Sequence, residues 1–303
     1  VAIVGPTAVG KSAIAEAVAE RFEATIVSVD SMQVYRGMDI GTAKPDRHTR
    51  DRIDYRMLDV CDPEEGLSVQ RFQELARREV SRILDTGGRV VIAGGSGLHF
   101  RSIVDPMTFA PTDDEVKAHL EARSAEDLVA ELLAADPMAG DVVDLANPRR
   151  VLRAVEVWQI TGRTPSLRAS LPEAAAMRRY EPVLEFEGFG IDRGNSLGGR
   201  VRTRLAAMVE AGFPAEVARL QARMGRTASQ AVGYRQYSAA LGGELSMSAA
   251  FDETVRATNA LVKRQRTFFR RDPRIRWISW QDGTEHEIET AVTTIGEATR
   301  WSS

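Results

Sequence analysis

The chain opens with VAIVGPTAVGKSAIAEAV, an apolar β-branched run, a loop punctuated by glycines, and a helix-forming stretch. Within it, Gly5-Pro6-Thr7-Ala8-Val9-Gly10-Lys11-Ser12 fits G-x-x-x-x-G-K-[ST], with a strand before and a helix after, the context that pattern requires. A strand that feeds a helix in this way begins a βα crossover, and crossovers build parallel sheets. Backbone N–H groups and the helix N-terminus of such a loop cradle phosphate oxygens, Lys11 offsets their charge, and the Ser12 hydroxyl can ligate Mg²⁺. The loop specifies phosphates and leaves the reaction open.

The rest of the chain changes texture twice. Residues 1–109 alternate β-branched runs (VAIV, ATIVSV, RVVIAG) with helical patterns, so they are expected to form the first part of a P-loop-type α/β core, a parallel sheet flanked by helices. Residues 110–180 lose the strand signals and read as an all-helical insertion rich in alanine, leucine and glutamate. The core is expected to resume over 181–303, with a strand in PVLEFEGFGI, helices from about Ser196, a late strand in RIRWISW and a closing helix. No run of eighteen apolar residues occurs and the start reads as a strand, which argues against a membrane span or leader and for a cytoplasmic chain, expected as a monomer. Cys61 is the single cysteine, so no intramolecular disulfide forms, and neither it nor the four histidines make a zinc pattern. A formal net charge of −3 leaves nucleic-acid binding to local basic surfaces.

The strand TIVSV ends in Asp30. A carboxylate at the carboxyl end of a parallel strand lies on the sheet edge where the phosphate loop also lies. Asp30 can hold Mg²⁺, as in a kinase, accept a proton from an attacking group, or merely cap a turn. In an ATPase the metal-water carboxylate follows a later apolar strand, but RVVIAGGSGLHF ends in Gly94-Gly95-Ser96. ATP hydrolysis is therefore disfavoured.

GPTAVGKS, VDSMQVYRGMDIGTAKP, GGSGLHF, NPRRVLRAVEV and VGYRQ occur in an order and spacing that resembles the tRNA dimethylallyltransferases, or tRNA isopentenyltransferases, over nearly the whole chain. The resemblance implies transfer of a dimethylallyl group from dimethylallyl diphosphate to the exocyclic amine of the adenosine just 3′ of the anticodon in tRNA. Without a C-terminal zinc finger of the eukaryotic kind, it points to the bacterial type. The loop would then hold a diphosphate that leaves. The chemistry agrees: an adenine amine is a poor nucleophile, so Asp30 is the candidate base, and the departing oxygens need fixed positive partners from the loop, Lys11, Mg²⁺ near Ser12 and an arginine.

By resemblance that arginine is Arg204, counted back from Met208 and Gly212, with Arg200 and Arg202 as competitors. Ser96 matches a position where the family commonly has threonine and is expected to touch the diphosphate or the amine, while His99 replaces the usual tyrosine. GGSGL also reads as a tight turn that needs glycine. For tRNA, Asn147 and Pro148 start a helix on which Arg149, Arg150 and Arg153 can share a phosphate surface, with Val151, Val155 and Trp158 inward. In VRATNALVKRQRTFFRRDP, helical rotation puts Arg256, Lys263, Arg266 and Arg270 on one stripe, with Leu261, Val262, Phe268 and Phe269 roughly opposite. Val232-Gly233-Tyr234-Arg235 resembles a family segment that lies against tRNA, with Tyr234 stacking and Arg235 pairing with phosphate. Asp30-Ser31-Met32-Gln33 could meet the flipped base, Gln33 as its reader, and the insertion would grip the anticodon loop. Prenylation of free adenine nucleotides, a small-molecule P-loop kinase and a non-catalytic RNA-binding protein are the competing readings.

Overall fold

Strand β1 (Ala2–Val4) is wholly buried, as its unbroken apolar run requires of a central strand covered on both faces. In the computed structural model, which describes residues 1–193, 197–281 and 283–301, β1 leads through the phosphate loop into α1 (Lys11–Phe22) and β2 (Ala24–Ser28). There follow α2 (Arg47–Arg52), β3 (Tyr55–Arg56), α3 (Val69–Asp85), β4 (Arg89–Gly94) and α4 (Gly97–Val104). After the insertion come β5 (Gly188–Asp192), with α5 to α9 lying between and described below, then α10 (Leu197–Glu210), α11 (Phe213–Leu220) and α12 (Tyr234–Leu241). The chain closes with α13 (Met247–Arg270), β6 (Ile275–Ser279) and α14 (Glu285–Thr299).

The six strands form one sheet in the order β3-β2-β4-β1-β5-β6, parallel throughout. The expected parallel α/β core is therefore present. All carboxyl ends fall on one edge, so the phosphate loop after β1, Asp30 after β2, Ser96 after β4 and Asp192 at the end of β5 meet there. Only the last part of PVLEFEGFGI is strand, because pairing with β1 begins at Gly188. The helix expected from about Ser196 is described from Leu197 onward, Ser196 itself lying outside the described residues.

Contacts divide the chain into two compact units, Val1–Val104 with Leu184–Ser303, and Asp105–Val183. The second comprises α5 (Asp114–Glu121), α6 (Ala125–Ala135), α7 (Pro148–Thr161), α8 (Pro165–Ala169) and α9 (Pro172–Arg178) around its own core of Leu120, Leu128, Leu132, Val151 and Val155. Side-chain caps start α7 and α8: Asn147 accepts the Arg150 N–H, and Thr164 accepts the Leu167 N–H. Gly162, at φ 69°, ends the first of these, and Pro165 occupies the first turn of the second. Among the described residues no helix is long and apolar enough to cross a membrane.

Candidate active site

The phosphate loop is braced from behind. Arg193 Nε and Trp280 Nε1 both donate to the Val9 carbonyl at 2.7 Å, and the guanidinium lies 5.3 Å from the Trp280 ring centroid. Two donors on one carbonyl set the plane of the Val9–Gly10 peptide, and Gly10, at φ 98°, supplies the left-handed turn that sends the chain into α1. Lys11 Nζ donates to the Pro6 carbonyl at 3.2 Å. Burial pushes the Lys11 ammonium down to about 8, nearby Arg204 adds to the shift, and Asp30 opposes it.

That shift has a definite sign. Between pH about 8 and its ordinary 10.5, Lys11 is neutral in the folded protein and charged in the unfolded chain, so this group adds stability to the unliganded protein as pH rises through that window. A diphosphate bound there would restore the proton. Inorganic pyrophosphate is expected to bind with proton uptake above pH about 8, its affinity falling about tenfold per pH unit. Calorimetry in buffers of different ionisation enthalpy checks this, and zero uptake at pH 9 would remove Lys11 from the phosphate contact.

Asp30 serves two ends. Its Oδ1 accepts the Met32 N–H at 2.8 Å and the Gln33 N–H at 3.3 Å, the turn role that aspartate commonly has. Among the described residues no hydrogen bond reaches Oδ2, while Asp30, Ser31 and Met32 line a cavity of about 410 Å³. Gln33 differs from the expectation of a base reader. Its Oε1 accepts from Ser28 Oγ at 2.8 Å and its Nε2 donates to the carbonyls of Thr42 and Ala43 at 3.1 and 3.2 Å. Both ends of the carboxamide are thereby spent holding the loop closed on itself.

The same loop is tied down by a residue that sequence reading passed over. Glu216 on α11, 2% exposed, accepts the N–H groups of Asp39, Ile40 and Gly41 at 3.0, 2.9 and 3.1 Å and the Tyr234 hydroxyl at 2.6 Å. Tyr234 is 0% exposed and packs edge-on against Phe213, 5.1 Å between centroids. It cannot stack on a nucleotide base, because its ring is core and its hydroxyl anchors the carboxylate. Gly233 is likewise buried; Arg235 is exposed and Val232 lines the cavity.

Ser96 Oγ lies 2.7 Å from His99 Nδ1, and His99 packs edge-on against Phe72 at 4.5 Å. Burial pushes His99 down to about 4, with Asp30 opposing, so the ring is neutral and orients the Ser96 hydroxyl without adding charge. The glycines before and after Ser96 answer to close approach. None of Gly94, Gly95 and Gly97 has a positive φ. A Cβ on Gly97 would overlap the Phe268 ring, and one on Gly95 would stand 2.6 Å from Gln265 Nε2, so the block lets α13 lie against the end of β4. This corrects the expectation of a turn that needs glycine for its conformation.

Arg204 NH1 reaches Thr7 Oγ1 at 3.4 Å. Burial lowers its proton affinity and Asp30 opposes the change, leaving a half-buried cation. Thr7, Ala8, Asp30, Ser96 and Arg204 thus line one cavity, whose other wall is apolar: Val201, Leu205 and Met208 from α10, Leu261 and Phe268 from α13. Of the competitors, Arg202 pairs with Asp252 at 2.9 Å, while Arg200 Nε donates to the Ala8 carbonyl of the loop at 3.5 Å.

The basic stripe on α13 is partly structural. Arg266 and Arg270 both pair with Asp192, at 2.7 and 3.1 Å, and the Asp192 side chain is 5% exposed. They fasten α13 to the end of β5, while the Arg270 side chain stays 59% exposed. Lys263 stays exposed, and Arg264, which helical rotation left off the stripe, lines the cavity. Within the insertion, Arg149 and Arg150 are exposed, with Arg150 3.6 Å from Asp144. Arg153 turns inward, to the carbonyls of Ala110 and Pro111 at 2.7 and 3.0 Å and to Glu156 at 2.8 Å, so it braces its own unit. Replacing Lys263 by Gln is expected to flatten the salt dependence of RNA binding by about one unit of slope. Arg266→Gln is expected to lower stability by about 1–3 kcal/mol, because Asp192 loses its two-point partner. Denaturant titration together with binding at several salt concentrations separates the two.

Among the described residues no group of three or more His, Cys, Asp or Glu side chains could hold a metal by itself. Ser12, exposed at the first turn of α1, is placed to offer one oxygen to an ion that also binds phosphate, the donor set Mg²⁺ accepts.

Comparison with known proteins shows the family. The family described as IPP transferase matches residues 33–272. A tRNA dimethylallyltransferase from Streptomyces avermitilis is 43% identical over 92% of this chain and 89% of its own length. One from Acidothermus cellulolyticus is 44% identical over 96% and 91% respectively. The crystal structure of the tRNA isopentenylpyrophosphate transferase from Bacillus halodurans superposes with a TM-score of 0.70 at 30% identity, covering 99% of this chain and 96% of that one. With a cavity at the carboxyl edge of the sheet and a family match over most of its length, the chain belongs to the IPP transferase family, that of the tRNA dimethylallyltransferases.

Proposed function

We propose that this protein transfers a dimethylallyl group from dimethylallyl diphosphate to the exocyclic amine of an adenosine in tRNA, the one 3′-adjacent to the anticodon. One observation carries the reading: a single cavity joins a cationic end, with Arg204 and the phosphate loop of Lys11, to an apolar wall and to the Asp30 carboxylate. A kinase cavity has no need of an apolar wall beside its phosphates; an allylic diphosphate does. The amine nitrogen attacks the allylic carbon, the C–O bond breaks with its electron pair leaving on the diphosphate, and Asp30 takes the amine proton. Lys11, Arg204 and the loop N–H groups receive the charge that develops on the leaving oxygens, in a site where they are already oriented. Ser96, whose hydroxyl is held by His99, lines the same cavity and would meet the phosphates or the amine.

With the diphosphate bound, Mg²⁺ would be held by Ser12 and phosphate oxygens and would supply further charge neutralisation. The adenine has to leave its stack to reach Asp30, at a cost of about a few kcal/mol. Arg149, Arg150, Lys263 and Arg235 are exposed cations available to RNA phosphates, and Arg264 reaches the cavity itself. Incubation with Mg²⁺ and labelled dimethylallyl diphosphate, offering unmodified tRNA, AMP or ATP in parallel, tests the proposal by nucleoside mass spectrometry. Label in tRNA adenosine alone is expected. Label in the free nucleotide, or ATP consumption with a small hydroxylated metabolite and no prenyl transfer, would overturn it.

A further inference from the structure

Helix α13 reaches the phosphate loop with a neutral side chain. Gln265 Oε1 accepts the N–H of Thr7 at 2.8 Å, so one donor of the loop is already engaged. The other end of the carboxamide faces the opposite side of the cavity, where Nε2 comes so near Gly95 that a methyl group there would stand 2.6 Å away. Gln265 therefore lies between the loop that carries the phosphate donors and the turn that presents Ser96. Thr7 passes the constraint on, since its hydroxyl is the group that Arg204 NH1 approaches at 3.4 Å.

We propose that Gln265 is a positioning residue of this site: it sets the separation of the phosphate loop from the Ser96 turn and holds Thr7 where Arg204 can meet it. The inference rests on the reading of the loop as a diphosphate holder. A carboxamide suits the task, because it accepts from the loop with its oxygen, offers its NH₂ to the other side and brings no charge to repel a leaving diphosphate. Glutamate would keep the acceptor, lose the donor and add a negative charge beside the phosphates. Alanine would release Thr7 and open space between the loop and the turn.

The test uses the full chain with Gln265→Ala and Gln265→Glu. Three quantities are read for each: thermal midpoint, affinity for inorganic pyrophosphate with Mg²⁺ by calorimetry, and kcat with separate KM values for the prenyl donor and tRNA. Both variants are expected to lose about tenfold to a hundredfold in kcat, with the KM for tRNA unchanged, and Gln265→Glu is expected to lose pyrophosphate affinity as well. If the alanine variant fails to fold, the nearly isosteric glutamate variant carries the test alone. A lowered midpoint with wild-type kcat and pyrophosphate affinity would make Gln265 a packing residue and overturn the assignment while leaving the diphosphate reading intact. Absence of pyrophosphate binding by the wild-type protein would overturn that reading and the assignment with it.

Discussion

Asp30→Asn is expected to lower turnover by about 10²–10⁴-fold while tRNA affinity stays within a few-fold. Asparagine is the informative replacement because it separates the turn role of this side chain from the proposed proton transfer. Its amide oxygen can still accept the Met32 and Gln33 N–H groups, so the loop keeps its turn. What it cannot do is take a proton from the adenine amine. Asp30 also supports the positive charges of Lys11 and Arg204, which both sense its carboxylate. Single-turnover rates report the chemistry and pyrophosphate affinity reports the electrostatic support. A rate near that of wild type would assign deprotonation of the amine to another group or to water.

Glu216→Ala is expected to destabilise the protein by about 3–5 kcal/mol and to slow turnover as well. Three backbone N–H groups and one hydroxyl lose their acceptor in a region sealed by Phe213 and Tyr234. Each orphaned donor costs about 1–3 kcal/mol unless water enters. Burial, followed by the Glu216 carboxylate, raises the proton affinity of the Tyr234 phenol, so the tyrosine remains a donor at every pH the fold tolerates. Glu216→Gln keeps one acceptor and is expected to lie between alanine and wild type. Because Gly41 and Thr42 belong to the cavity wall, the loop that Glu216 fastens also shapes the cavity. Urea titration with parallel kinetics checks both effects, and an unchanged midpoint would show that water replaces the carboxylate.

The parallel sheet and the position of the phosphate loop were legible because both are written locally: β-branched runs make strands, and glycine spacing with Lys-Ser makes the loop. Asp30 was legible for the same reason, through its place at a strand end. Pairing across the fold was not. Tyr234 looks like a stacking aromatic until α11 brings Glu216 against it, and Arg266 and Arg270 look like a free basic face until β5 brings Asp192 beneath them. Gln33 and Arg153 spend their donors on carbonyls that helical or strand periodicity does not locate. Gln265, between two arginines, carries no charge or period to mark it. Its contact exists because glycines at 95 and 97 let a distant helix come close.

The sheet order bears on how the chain is made. β1 lies between β4, which precedes the helical insertion, and β5, which follows it. A ribosome therefore exposes β1 with one flank unpaired until the whole insertion and Gly188–Asp192 have emerged, and an unpaired strand edge is a template for association between nascent chains. Leu184 donates its N–H to the Val104 carbonyl at 3.4 Å, so the point where the insertion leaves the core is also the point where it returns. The insertion is thus joined to the core at one place, and the late half of the sheet needs only to zip onto the waiting edge.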